Sequence, residues 1–138
     1  AHLLECHGTG TILGDPIESN AIQRVVGSGR ARCCPVFLGA VKANLGHLEG
    51  AAGIAGFTKA VLVLQRCASP SNVHLHILNP NISLQSNVVP QGVVAKLDAS
   101  QCMHVGVSSF GFGGSIAHAV VGLSKTSGCT GVMPTRER

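Results

Sequence analysis

Apolar residues along this chain fall into short runs that alternate with glycine-rich loops. Four compact runs have the length of a strand: residues 3–6, 35–41, 105–107 and 117–121. Residues 17–25 and 50–66 instead repeat apolar side chains at the spacing of a helix. Residues 69–90 are rich in Pro, Asn and Ser and predict a loop, and residues 88–97 predict one further strand. The pattern therefore predicts strands that alternate with helices.

The first predicted helix has a start and an end that can be recognised in the sequence. Asp15 can cap the helix, Pro16 fits its first position, and Glu18 favours the positive end of the helix dipole. Gly27 and Gly29 then stop the helix. We therefore expect a helix that begins at Asp15 and ends at these glycines.

The second predicted helix, residues 50–66, is apolar on nearly every face, which favours a position inside the molecule. The apolar stretch around it, residues 48–64, contains Glu49 and Lys59 and falls short of a membrane span. We therefore expect a buried helix and no membrane association.

Composition narrows the classes of function. Of 138 residues, 45% are hydrophobic, 12% are charged and 3% are aromatic, so the chain has the material for a core and is not a disordered sequence. The net charge of +4 is scattered, without interleaved aromatics, and gives nucleic-acid binding little support. It suits an acidic partner such as a carrier protein.

We expect a domain over residues 1–123, a loose tail over 124–138, and a chain that is a fragment of a larger product.

The cysteines suggest reduced thiols in an intracellular protein, because none of the six forms a C-x-x-C pair and two are adjacent. None is placed as an evident nucleophile. Cys6 is expected to face the core, and Cys67 follows a helix carboxyl end, where the dipole opposes a thiolate. Cys33 and Cys34 lie in a predicted loop, and Cys129 lies in the tail. Cys102 lies two residues before His104, and this pair lacks the partners of a zinc site.

His7 opens the first glycine-rich loop, residues 7–11. The glycines that follow it leave room for a ligand, and Thr9 and Thr11 offer hydroxyl groups to that ligand. Because neighbouring strand residues point to opposite faces, the adjacency of Cys6 and His7 does not indicate a Cys–His pair. The alternative is a structural histidine in a glycine turn.

The second and third glycine-rich loops carry His47 and Phe112. His47 precedes the second predicted helix, whose positive end disfavours an imidazolium and leaves a neutral hydrogen-bond donor. Lys42 lies five residues earlier, within reach of the same space. Phe112, between two glycines, can plug or gate a site, and its backbone N–H can serve an oxyanion hole. The alternatives are a solvated amine for Lys42 and a buried turn phenylalanine for Phe112.

Taken together and in this order, the segments at residues 5–18, 41–53 and 108–115 resemble the β-ketoacyl synthases of fatty acid and polyketide synthesis. They look most like the modular polyketide type, and the resemblance covers roughly residues 3–121. It implies the α/β thiolase-like fold, in which two similar halves each contain a mixed sheet with helices. This chain would be the C-terminal half of such an acyltransferase.

The resemblance also implies a reaction. It is the decarboxylative Claisen condensation of an acyl thioester with malonyl, which is carried on the phosphopantetheine arm of an acyl carrier protein. No cofactor or metal is bound directly. The implied residues are catalytic His7, His47 and Lys42 and substrate-binding Thr9, Thr11, Phe112 and Gly113. In these roles the histidines stabilise an enolate, the lysine supports them, the threonines contact the pantetheine arm, and the phenylalanine gates the site.

The family's nucleophilic cysteine belongs to a motif upstream of His7, so the resemblance implies that this chain alone is inactive. It implies an acyl carrier protein, the remainder of the ketosynthase domain and a homodimer as partners, in the cytoplasm or an organelle. Ile116 stands where the family usually has asparagine, which leaves a decarboxylating or non-elongating relative open. Another alternative is a non-catalytic remnant that binds acyl chains or dimerises. A different thiolase-fold acyltransferase is disfavoured by residues 7–11.

Overall fold

A computed structural model of the chain describes residues 3–27, 35–97 and 103–123. The strands, in chain order, are β1 (Leu3–Glu5), β2 (Val36–Gly39), β3 (Ala68–Ser69), β4 (Val88–Pro90), β5 (Ala95–Lys96), β6 (Met103–Phe110) and β7 (Ile116–Leu123). The helices are α1 (Gly14–Ile22), α2 (Lys42–Leu45) and α3 (Ala52–Arg66). A π-helical turn, Gln23–Gly27, extends α1, and a 3-10 turn, Glu49–Ala51, leads into α3.

Five strands form one mixed sheet in the order β4-β2-β1-β6-β7. The first four are parallel, and β7 runs antiparallel to β6. The remaining two strands, β3 and β5, form a separate antiparallel pair. Because β1, β2 and β6 are parallel neighbours, their carboxyl ends lie at one edge of the sheet. This topology brings the three glycine-rich loops of the sequence together at that edge.

The core lies on both faces of the sheet, because successive strand residues point in opposite directions. Leu3 belongs to the cluster under α3, together with Ala60, Val63, Leu64, Met103, Val105 and Val107. Leu4 belongs to the cluster on the opposite face, with Val36, Leu38 and Val88, against which Ile22 and Val26 pack. The sheet is therefore covered by α3 on one face and by α1 with its π-helical extension on the other.

The strands predicted at residues 3–6, 35–41, 105–107 and 117–121 are present. The single strand predicted at residues 88–97 is wrong, because two short strands with different partners occupy this stretch. The backbone N–H of Gln91 still bonds to Leu38 at 2.9 Å, and the Gln91 side chain then bonds to the carbonyl of Val93. The chain therefore follows β2 as far as Gln91 and turns away before β5.

Helix α1 begins at Gly14, with Leu13 as its N-cap and no capping side chain, so the prediction that Asp15 caps the helix is wrong. The Asp15 carboxylate instead accepts a 3.1 Å hydrogen bond from the backbone N–H of Gly10. Thr11 accepts the hydrogen bond of the Gly14 N–H at 3.1 Å. Asp15 therefore holds the loop before the helix, and Thr11 of that loop bonds the first amide of the helix.

Helix α3 is apolar on nearly every face, as the sequence indicates, but this chain buries only one of those faces. Ile54, Phe57 and Leu62 are 63%, 41% and 42% exposed. Ile17 and Val25 of the first helical segment are also exposed, at 70% and 80%. Within the three described ranges, every helix is too short or too polar to span a bilayer.

Several sequence predictions lie outside the described residues. They concern the stop at Gly29, the thiols of Cys33, Cys34, Cys102 and Cys129, and the tail at 124–138.

Candidate active site

His7 lies two residues after β1, in a loop whose backbone is held by α1. The Glu18 carboxylate accepts hydrogen bonds from the backbone N–H groups of His7, at 2.7 Å, and Gly8, at 3.0 Å. Gly8 has a φ of 47°, and a Cβ there would lie 2.8 Å from the Ala40 Cβ, so glycine is required in this turn. Burial raises the pKa of Glu18, although both hydrogen bonds favour its carboxylate. Helix α1 therefore fixes the direction in which the chain leaves β1.

His47 lies in the loop that joins α2 to α3. Gly46 turns the chain with a φ of 82°, and the His47 ring folds onto the start of the 3-10 turn. There its Nδ1 accepts a 2.8 Å hydrogen bond from the backbone N–H of Glu49. Lys42, the first residue of α2, lies just beyond the carboxyl end of β2. The connection after β2 thus carries both the lysine and the second histidine.

The rings of His7 and His47 are neighbours, with centroids 5.8 Å apart and planes at 88°. The Nδ1 of His7 accepts a 3.3 Å hydrogen bond from the backbone N–H of Phe110, whose ring centroid lies 5.2 Å from that of His7. Because Nδ1 is an acceptor in both rings, the proton of each neutral imidazole lies on Nε2. Two Nε2–H donors, one from each loop, therefore belong to the same site.

The electrostatic environment favours the neutral form of His7. Burial lowers the pKa of His7 below its usual value, and electrostatic interactions with Lys42 and His47 lower it further. Burial also lowers the pKa of Lys42, against the opposing effect of nearby carboxylates. At neutral pH, His7 is consequently a neutral donor rather than an imidazolium.

A cavity of about 430 Å³, the histidine cavity, opens beside His47; His7 is not among its lining residues, although its neighbours Cys6 and Gly8 are. Thr9, Lys42 and His47 lie in its wall. Thr11 does not line it, because its hydroxyl points toward α1 and accepts the hydrogen bond from Gly14. The two threonine hydroxyls are 3.3 Å apart, so Thr11 contacts the cavity only through Thr9.

Phe112 and Gly113 belong to the turn between β6 and β7 and do not line the histidine cavity. The side chain of Phe112 is fully exposed, and the turn closes with a 2.7 Å hydrogen bond from Gly111 to Ser115. Phe110, two residues earlier, is the aromatic residue that contacts His7. The gating by Phe112 and the substrate contact of Gly113 stay predictions.

Two residues that contact His7, Glu18 and Phe110, are not assigned to the site by the sequence. Glu18 has the sequence signature of a favourable charge at a helix start, and nothing in one sequence shows that the loop folds back onto it. Phe110 follows from the sheet register: Glu5 pairs with Val107 in parallel strands, so the residues beyond each run side by side. The sequence alone does not show which strands pair, and the pairing of β1 with β6 is what brings Phe110 next to His7.

The described cysteines do not offer a nucleophile. Burial raises the pKa of Cys6 well above its usual value, and nearby carboxylates raise it further. Cys67 ends α3 in a left-handed conformation, at the negative end of the helix dipole. Among the residues that the structure describes, no group of three or more His, Cys, Asp or Glu side chains could hold a metal ion.

Comparison with known proteins gives a family for this site. The C-terminal domain model of the β-ketoacyl synthases matches residues 2–76. A phenolphthiocerol/phthiocerol polyketide synthase of Mycobacterium tuberculosis is 47% identical over 121 residues, which are 86% of this chain and 6% of that protein. The highly reducing polyketide synthase PKS6 of Gibberella zeae is 43% identical over 121 residues, 88% of this chain and 5% of that protein.

Solved structures agree with these matches. Ketosynthase twelve of the bacillaene polyketide synthase from Bacillus amyloliquefaciens aligns with a TM-score of 0.81 and 34% identity, over 90% of this chain and 22% of that one. The chain thus spans only a small part of the relatives it matches. The family resemblance and the thiolase-like fold expected from the three glycine-rich segments are confirmed. With a family match over more than half its length, the chain belongs to the β-ketoacyl synthases, as part of their C-terminal domain.

Proposed function

We propose that this chain supplies the two-histidine half of a ketosynthase that elongates acyl chains in polyketide or fatty acid synthesis. The reaction is the decarboxylative condensation of an acyl thioester with malonyl on an acyl carrier protein. Residues 1–123 form the ketosynthase part, and residues 124–138 form a tail or linker. The nucleophilic cysteine comes from the remainder of the ketosynthase domain.

The pair of Nε2–H donors is the observation that carries this proposal. When malonyl loses carbon dioxide, negative charge develops on the thioester oxygen, and fixed hydrogen-bond donors stabilise that charge. Both donors are oriented before substrate arrives, because Glu49 and Phe110 hold the Nδ1 atoms. The geometry therefore suits enolate stabilisation better than proton abstraction.

The other site residues receive supporting roles. Burial lowers the pKa of His7, and the charge of Lys42 lowers it further and favours the neutral donor. The Thr9 hydroxyl in the wall of the histidine cavity suits the amide groups of a pantetheine arm, with Thr11 holding Thr9 in place. The turn at Phe112 and Gly113 closes over the bound thioester. The phosphopantetheine itself belongs to the carrier protein and supplies the thioester that carries the malonyl group.

Three partners follow from this proposal: an acyl carrier protein, the cysteine-bearing remainder of the ketosynthase domain, and a second copy of the assembled enzyme. The net charge of +4 favours an acidic carrier protein. The chain by itself is catalytically inactive, and the complete enzyme acts in the cytoplasm or an organelle.

The experiment is to co-express the full chain with the amino-terminal half of a ketosynthase and to measure malonyl decarboxylation. We expect His47→Ala to lower the rate by about 10²–10³-fold, because one oxyanion donor is lost. His76→Ala is the matched control, since His76 is an exposed histidine outside the histidine cavity. Equal rates for the wild type and His47→Ala would contradict the role of His47.

A second candidate function is non-catalytic binding of an acyl chain. It is favoured by a separate apolar groove of about 630 Å³, bounded by the outer face of α3 and including Ile54, Leu62 and Val94. In the same complex, a decarboxylation rate that equals that of the amino-terminal half alone would favour this alternative.

A further inference from the structure

A buried ion pair lies beneath the two-histidine site. Lys59 Nζ of α3 is 2.7 Å from Glu5 Oε2 of β1, and the two side chains are only 8% and 1% exposed. The second carboxylate oxygen, Oε1, accepts a hydrogen bond from the backbone N–H of Val41. One carboxylate thus joins a strand, a helix and the turn after β2.

The neighbouring backbone is built to admit this ion pair. A Cβ on Gly39 would lie 2.7 Å from the Glu5 carboxylate and 2.8 Å from Lys59 Nζ. A Cβ on Gly56 would lie 3.3 Å from Glu5 Cγ. Burying two charges costs about as much as their attraction returns, and an apolar pair of similar volume often stabilises a protein as well or better. Stability alone therefore does not account for this pair.

The position of the carboxylate suggests what else it does. Glu5 is two residues before His7, and Val41 directly precedes Lys42, the residue that begins the segment leading to His47. The backbone N–H of Ala40, the residue before Val41, donates a separate 2.8 Å hydrogen bond to the side-chain oxygen of Asn72. The Glu5 hydrogen bond is thus a direct side-chain link from the His7 strand to the turn that carries the other two site residues.

We infer that Glu5 is a positioning residue, whose bond to Val41 fixes the His47 segment relative to His7, while Lys59 neutralises the buried carboxylate. This inference rests on the proposed function of the two histidines. Without the Glu5 acceptor, the turn after β2 should shift, and the rings of His7 and His47 should separate.

The test compares four forms of the full chain. In Glu5→Leu/Lys59→Met, both the acceptor and the charges are removed by apolar side chains of similar volume. In Glu5→Gln/Lys59→Met, the charges are removed but a carbonyl acceptor for Val41 remains. Gln23→Leu is the matched control: Gln23 is another buried polar residue, which bonds Ser83 and Gln85 at 2.6 Å on the opposite face of the sheet.

Two NMR measurements report the geometry without requiring catalysis. One is the nuclear Overhauser contact between the ring protons of His7 and His47, and the other is the titration midpoint of His7. Ring signals are assigned with His7→Ala and His47→Ala. In Glu5→Leu/Lys59→Met we expect the contact to disappear and the midpoint to rise, because Lys42 and His47 lie farther from His7. Glu5→Gln/Lys59→Met should retain both wild-type values.

Gln23→Leu should lower the melting temperature without changing either NMR value. In the complex with a ketosynthase amino-terminal half, Glu5→Leu/Lys59→Met should decarboxylate malonyl on the order of 10- to 100-fold more slowly, as expected for a misplaced catalytic group. The inference is overturned if that variant keeps the contact and the midpoint, or if the glutamine variant loses them too. An inactive wild-type complex would contradict the proposed function alone, because the NMR comparison is independent of turnover.

Discussion

Two imidazoles have Nε2–H groups free to donate in the proposed site, because backbone amides determine their tautomers. Glu49 N–H and Phe110 N–H each occupy an Nδ1 atom, and the proton of each ring is consequently at Nε2. The sequence predicts a neutral His47 from its place before a helix, but it contains no sign of the Phe110 amide. The tautomer of His7 thus depends on a contact between two residues that lie more than a hundred positions apart in the chain.

The lowered pKa of His7 predicts a response to pH. Above the usual histidine range, folded and unfolded chains both hold His7 neutral, and the residue contributes nothing to the pH dependence of stability. As the pH falls, the unfolded chain binds the proton first, so stability decreases until the folded site is protonated too. Decarboxylation by the complex should fall over the same acidic range, because a protonated Nδ1 can no longer accept from Phe110.

Lys42 should contribute measurably to that pKa, because its charge disfavours a second cation nearby. We expect the NMR titration midpoint of His7 to rise in Lys42→Met. Lys96→Met, at an exposed position on β5, is the control and should leave the midpoint unchanged. Identical midpoints in the wild type and Lys42→Met would show that burial alone lowers the pKa of His7.

Glu18 predicts a separate effect on stability. Glu18→Gln should leave one of the two amides, His7 N–H or Gly8 N–H, facing an NH₂ group instead of an oxygen. Both amides are partly buried, and an unsatisfied donor there should cost about 1 kcal/mol, which chemical denaturation would detect. Glu49→Gln is the exposed control and should change stability little. A Glu18→Gln protein as stable as the control would mean that the loop is held by other contacts.

At the scale of elements, the sequence predicts the sheet strands and both long helices, since their apolar periodicity is local information. It fails where a neighbour decides the outcome. Residues 88–97 divide into β4 and β5 because the chain turns away from β2 after Gln91, and Asp15 bonds Gly10 instead of capping its own helix. The ion pair between Glu5 and Lys59 is equally hidden, because the two residues lie far apart in the sequence.

The ion pair between Glu5 and Lys59 makes Gly39 of β2 a position where the packing around the pair can be tested. Gly39→Ala places a methyl group 2.7 Å from the Glu5 carboxylate and 2.8 Å from Lys59 Nζ, so the ion pair or the strand must shift. We expect a loss of about 1–3 kcal/mol in unfolding free energy, as for other overpacked interiors. Gly50→Ala is the matched control, because a Cβ there meets nothing within 4 Å. Equal losses for the two variants would contradict the steric argument.

At the scale of the whole molecule, one group of exposed apolar residues lies together on a single helix. The outer face of α3 presents Ile54 and Leu62, and it borders the apolar groove. Contiguous apolar surfaces of this kind are typical of contacts with another protein segment. The proposed partner is the cysteine-bearing remainder of the ketosynthase domain, which would explain why α3 is apolar on nearly every face.

The exposed face of α3 predicts poor solubility for the isolated chain and a specific remedy. Ile54→Glu/Leu62→Glu should reduce self-association in sedimentation experiments at little cost to folding, because both side chains are exposed. The same variant should fail to co-purify with a ketosynthase amino-terminal half, since two charges would be buried without partners. Ile77→Glu, at an 87% exposed position that does not line the groove, controls for added charge. Continued co-purification of the double variant would place the partner surface elsewhere.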